Sequence, residues 1–409
     1  MKTLVSLLGL FAIITVQAQT WKKYNNSNSG LGNNTVHSLD YDSSSNTLWI
    51  GGSNYLNSFQ NDLTWDTISS VMPNNSWYAV KVVAQGDLWV GGDDNCRLYH
   101  ISGSNITEYT DSINSIGEIR SIEEDAHGNI WVGTTFGLRM YNGARWFNYS
   151  DSILNEGIWT MELGFDSLMW FGSRSEGIFK YDGQKFTNYN SQNSPMPSAQ
   201  VRSLSKGVYP NLWIGTRDGL LRFDGDTTWN HWTENNSQLY DNEVYALAVD
   251  NDSVTWIGPN GGSRITTYDS TGWDNNSRVY PFNSISFTHA ITITPGGMKY
   301  FGGQGGVVSL SDGRSGPIQA PVRNQMGPLG ILSSDLNHLE VYPNPSSGKF
   351  RISGMAEQLE YRILNISGAT MASGKIQSKD ILSLPDASGI YFIELIDGTE
   401  RVIKRLIKK

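Results

Sequence analysis

One short strand is written seven times along this chain, and that repetition constrains the fold more than any other feature. It reads LWIGG at Trp49, LWVGG at Trp89, IWVGT at Trp131, MWFGS at Trp170, LWIGT at Trp213, TWIGP at Trp256 and KYFGG at Tyr300, at spacings of 40, 42, 39, 43, 43 and 44 residues. A unit of this length cannot bury both faces of its own strands, so the units must stack. A period near 40 with four short strands per unit predicts a β-propeller, in which the stack closes into a ring.

The other strands of the unit recur as well. An aromatic pair marks one, as in WKKY (21–24), WFNY (146–149), FTNY (186–189) and WNHW (229–232). A second has the order apolar, large, small, apolar, as in VHSL (36–39), IRSI (119–122), IWTM (158–161), VRSL (201–204) and VYAL (244–247). The last follows the Trp strand, as GLRMY (137–141) or GLLRF (219–223). The chain opens on an aromatic-pair strand at Trp21, and its last unit ends at GVVSLSDG (306–313) without one. The ends complement each other: the N-terminal strand is expected to close the seventh unit and remove an open edge. The fold class is therefore all-β, a single seven-bladed propeller over 19–314 closed by its N-terminal strand, followed by a small C-terminal β-sandwich. Abundant glycine, tryptophan and tyrosine and the lack of a long amphipathic helical pattern agree with that class.

Net charge narrows the partners. At −9 the chain shows no basic patch, which excludes a nucleic-acid binder. Cys96 is the sole cysteine, so no intrachain disulfide forms. Residues 1–18, with Lys2, an apolar run and small residues before Ala18, have the form of a secretory signal peptide. No later apolar run reaches the roughly 20 residues of a membrane span.

The repeat strands resemble the extracytoplasmic propeller repeat of two-component regulators over about residues 20–313. That family places its propeller before a membrane helix and a histidine kinase, neither of which follows here; the resemblance implies the fold and a tendency to bind ligands. Beyond a proline-containing linker (315–338), YPNPSSG (342–348), ISG and SGIYFI in that order, ending on a basic strand, resemble the sorting domain of the type IX secretion system of Bacteroidetes. The resemblance implies that 339–409 engage that machinery and that the protein reaches the medium or the outer cell surface. A second adhesive sandwich is the alternative.

Catalytic motifs are absent. There is no HExxH, CxxC pair, Walker loop or G-x-S-x-G elbow, and the six histidines are scattered, so neither a metal nor a cofactor is expected. The repeat tryptophans belong to the core, where a large ring followed by glycine suits face-to-face packing. The informative position is the large residue of the apolar-large-small-apolar strand: His37, Tyr78, Arg120, Trp159, Arg202, Tyr245 and His289. If this strand is innermost, the seven side chains ring one mouth of the central funnel. Aromatic, guanidinium and imidazole groups suit sugar rings and carboxylates. The alternative is that they pack between blades, each arginine satisfied by a carboxylate such as Glu118 or Glu156. Loops on the same mouth add Asp93, Asp94, Arg174, Glu176, Arg217 and Asp218. A non-catalytic binder of a glycan or other extracellular polymer is one reading. A lyase or hydrolase using the same ring is another, and a structural adhesin a third.

Overall fold

The computed structural model describes residues 19–313, 316–317 and 340–408, apart from 69–71, 73–74, 84–85, 94–96, 110–116, 150–155, 165–166, 209, 263, 275–284, 343–347, 354–357, 365–369, 378–379, 385–388 and 398–399. The expected signal segment and nearly all of the linker lie outside these. The described chain is all-β.

Between Thr20 and Ser311 it forms four-stranded antiparallel sheets, here I to VII, each read from the strand nearest the centre outward. Their first strands are Val36–Asp42, Trp77–Val82, Ile119–Glu124, Ile158–Leu163, Val201–Lys206, Val244–Val249 and Ser286–Ile293. Each first strand lies beside that of the next sheet, and that of sheet VII lies beside that of sheet I. In six sheets all four strands follow one another in the chain. Sheet VII takes its outermost strand from the N-terminus: Thr20 pairs with Ser311, Trp21 with Leu310 and Tyr24 with Val307.

The Trp strand is second in every sheet and supplies the contact between sheets. Trp89, Trp131, Trp170, Trp213, Trp256 and Tyr300 are buried, and Trp49 is partly buried against the core shared with the next sheet. The glycine after each is set by what lies opposite. A Cβ at Gly91 would fall 2.4 Å from Ile119 of sheet III, and one at Gly302 2.5 Å from Val36 of sheet I. Any side chain there would drive the sheets apart.

The small residue of the first strand has its own task. Ser38 Oγ donates to the Trp77 carbonyl of the next sheet at 3.0 Å, Ser203 Oγ to that of Val244 at 3.4 Å and Ser121 Oγ to that of Ile158 at 3.5 Å. Sheet VII has Ala290 at this place, and the neighbouring His289 donates from Nδ1 to the Val36 carbonyl at 2.8 Å instead. The ring junction that joins the two ends of the chain is thus clasped by an imidazole.

First strands begin at one face of the ring, termed the mouth. The chain enters at Thr20 and leaves after Ser311 on the opposite face. A buried charge cluster holds that exit: Lys299 Nζ lies 2.6 Å from Asp312 and 3.9 Å from Asp250, all almost wholly excluded from solvent. Asp250 Oδ2 also accepts from Trp256 Nε1 at 3.0 Å, and Asn251 N donates to the Gly316 carbonyl at 2.8 Å.

Residues 340–408 form a three-stranded and a four-stranded antiparallel sheet. Phe350 and Ile352 from the first, with Leu384 just beyond its last strand, share one core with Ile363, Ile393 and Leu395 from the second.

Two outcomes follow. Deleting residues 19–24 leaves Gly306–Ser311 as an open edge, so differential scanning fluorimetry will show a lower melting temperature and size-exclusion chromatography a larger associated fraction. Replacing Lys299 by Ala strands two buried carboxylates; the expected loss is about 3–5 kcal/mol by urea unfolding, the scale for breaking a buried ion pair.

Candidate functional site

The large residue of each first strand has no partner in its ladder. Val36 pairs with Gly52 and Ser38 with Gly51, leaving His37 extruded between them. The same register shift falls at Tyr78, Arg120, Trp159, Arg202 and Tyr245, and sheet VII has two, at Phe287 and His289. A bulge residue is freed from the alternation that sends its neighbours between sheets. Its side chain turns toward the ring centre instead.

There the seven meet. The Arg120 guanidinium lies 4.3 Å from the Tyr78 ring centroid, Tyr78 meets His37 edge-on at 4.8 Å, and His37 stacks on His289 at 5.6 Å. His289 lies 6.0 Å from Tyr245, and Arg202 reaches both Tyr245 at 5.1 Å and Trp159 at 4.3 Å. Among the described residues no ring contact joins Trp159 to Arg120. The arrangement is a rosette of partly buried side chains resting on one another.

Each arginine also has a carboxylate. Arg120 pairs with Glu118 and Arg202 with Glu243 of the next sheet at 2.9 Å, while Glu156 accepts from Ser175 instead. Glu243 is braced by Asn260. The ring histidines are held neutral. Burial, with His289 and Arg120 adding to it, brings His37 down to about 4, against the pull of Asp93; burial lowers His289 as well. His37 Nε2 shares a hydrogen bond with Ser53 Oγ at 3.0 Å. Three donors, Trp159 Nε1, Arg120 Nε and Arg202 Nε, are shielded from solvent with no acceptor in the protein. An unmet buried donor costs about 1–3 kcal/mol.

Of the predicted loop residues that are described, Arg174 alone reaches a rosette ring. Arg174 is exposed, 5.9 Å from the Trp159 ring, and Arg217 and Asp218 are exposed in the turn after Thr216. Asp93 accepts from Ser76 N at 3.1 Å, and Glu176 is exposed; Asp94 lies outside the described residues.

A deeper tier escaped the sequence reading. Three residues on from the rosette, Asp40, Lys81, Glu123 and Glu162 each stand opposite a repeat tryptophan in the ladder. Lys81 bridges to Glu123 at 2.7 Å, Lys206 to Glu162 at 3.0 Å, and Asp40 accepts from Val82 N at 2.7 Å. Burial raises the Asp40 carboxyl against Lys81, and that of Glu162 against Lys206. Charge at this ladder position in four successive units, replaced by Ser205, Ala248 and Thr292 in the other three, was the available signal. Among the described residues no three His, Cys, Asp or Glu side chains are placed to hold a metal.

Residues 340–409 match the family described as the secretion system C-terminal sorting domain, and residues 115–136 match the two component regulator propeller. This is a propeller with a secretion sorting tail. The tail directs the protein through its secretion machinery to the medium or the outer cell surface. A curated relative, histidine kinase P4 of Formosa agariphila, is 23% identical over 249 residues, which are 52% of this chain and 18% of that protein. The chain thus spans less than a fifth of that relative. The extracellular domain of a B. thetaiotaomicron hybrid two component system superposes with a TM-score of 0.62 at 17% identity, covering 96% of this chain and 58% of that one. Virginiamycin B lyase from Staphylococcus aureus superposes with a TM-score of 0.61 at 15% identity, covering 72% of this chain and 99% of that one. At these identities the structural likenesses establish the propeller fold alone.

The lowered His37 pKa has a thermodynamic sign. A histidine with a folded pKa near 4 and an ordinary value of 6.5 takes up a proton on unfolding, so its contribution to stability declines as pH falls between those values. Asp40 and Glu162, raised by burial, act in the opposite direction. The melting-temperature advantage of the unmodified protein over His37→Gln is therefore expected to shrink from pH 6.5 to pH 4; parallel curves would remove the buried neutral imidazole.

Proposed function

We propose that residues 19–314 form one seven-bladed propeller that binds a glycan or other extracellular polymer at its mouth without catalysis. Residues 1–18 are its export signal, 315–338 a linker, and 339–409 a small sandwich that serves as the sorting domain. One observation carries the binding reading. The bulge position contributes nothing to its ladder that another residue would not, yet in every sheet it holds an aromatic, imidazole or guanidinium group, and these gather on one face.

A lyase is the second reading, favoured by the neutral imidazoles of His37 and His289 beside Ser53. A relative in fold, a catalytically inactive virginiamycin B lyase, is known with quinupristin bound. An imidazole lowered to about 4 is a weak base at neutral pH, which weighs for binding.

A glycan array probed with residues 19–409 tests both. Binding is expected without new reducing ends or unsaturated products, and products would favour the lyase. For any ligand found, Trp159→Ala is expected to weaken binding roughly tenfold, about 1.4 kcal/mol, by calorimetry, with the native circular dichroism spectrum retained.

A further inference from the structure

The rosette holds two guanidiniums, and a positively charged site would select polyanions such as uronic-acid polymers. We infer instead that the mouth selects an uncharged, oxygen-rich ligand, a neutral polysaccharide segment, and that Glu118 and Glu243 are the groups that make it do so. This inference rests on the binding reading above and names the class of its ligand.

The positions of charge argue for it. Neither ring arginine presents a free cation: Arg120 is spanned by Glu118 and Arg202 by Glu243. The second of these carboxylates is fixed in place, with Asn260 donating to its other oxygen and its own backbone N–H held by Asp241 at 2.9 Å. An incoming carboxylate would have to displace a built-in one that is already oriented, and two like charges around one guanidinium repel. The histidines add no charge near neutral pH, since burial lowers both.

The rim points the same way. Among the described residues of the mouth-face loops, Asp93, Glu156, Glu176, Asp218, Glu234 and Asp241 stand against Arg97, Arg174, Arg217 and Arg264. Arg264 is drawn over the Tyr240 ring at 5.5 Å. A polyanion approaching this face meets an excess of negative charge, as it does from the chain as a whole at −9. What the rosette still offers are the partly exposed rings of Tyr78, Trp159 and Tyr245, on which the apolar face of a sugar stacks without bringing a charge.

The test uses residues 19–409 on an array of oligosaccharides matched in length, neutral glucans and mannans against polygalacturonate and alginate fragments, at 50 and 500 mM NaCl. The expected result is binding confined to neutral chains, with affinity changing less than twofold between the two salt concentrations. Glu118→Gln and Glu243→Gln are each expected to raise binding of hexagalacturonate at least tenfold at 50 mM NaCl. A wild-type preference for the acidic chains that collapses at high salt overturns the inference while leaving the binding reading intact. A wild-type preference for neutral chains with no gain in either Gln variant overturns the role given to the two carboxylates. Absence of binding to both classes, or binding indifferent to Trp159→Ala, overturns the binding reading and this inference with it.

Discussion

The structure depends on how closely one sheet approaches the next. Where a glycine follows the repeat tryptophan, the first strand of the neighbouring sheet comes within a distance that no Cβ tolerates, as Ile119 does at Gly91 and Val36 at Gly302. This close approach lets each tryptophan be covered on both sides, and the dispersion gained is large because the contact is dry and dense. It also fixes the separation of the first strands, so that hydroxyls such as Ser38 and Ser203 reach the next backbone carbonyl.

The bulge is the second consequence of that geometry. Strands packed on both faces have no freedom to vary, because both sets of side chains are committed to neighbours. Adding one residue creates a position outside that commitment. In six sheets one residue occupies it, and in sheet VII two do. His289 belongs to both worlds, resting on His37 and Tyr245 within the rosette while holding the Val36 carbonyl that joins the last sheet to the first.

The repeat period and the complementary chain ends made the propeller readable from residues alone, because glycine and tryptophan report backbone packing locally. Offsets from the Trp strand likewise aligned His37, Tyr78, Arg120, Trp159, Arg202, Tyr245 and His289. Their partners were not readable. Arg202 finds Glu243 41 residues away, on the next sheet, whereas Glu156 accepts from Ser175 instead. The second bulge at Phe287, with its positive φ of 58°, had no counterpart in the other units and so no pattern to announce it. Trp49 was expected in the core with the other repeat tryptophans and packs there, less fully covered than its equivalents.

The chain enters and leaves the ring on the face away from the rosette, with the exit pinned by Lys299 and by Gly316 against Asn251. The tail therefore joins the ring at its base, where the buried ion cluster and the closing strand lie, and the rosette is left on the opposite face.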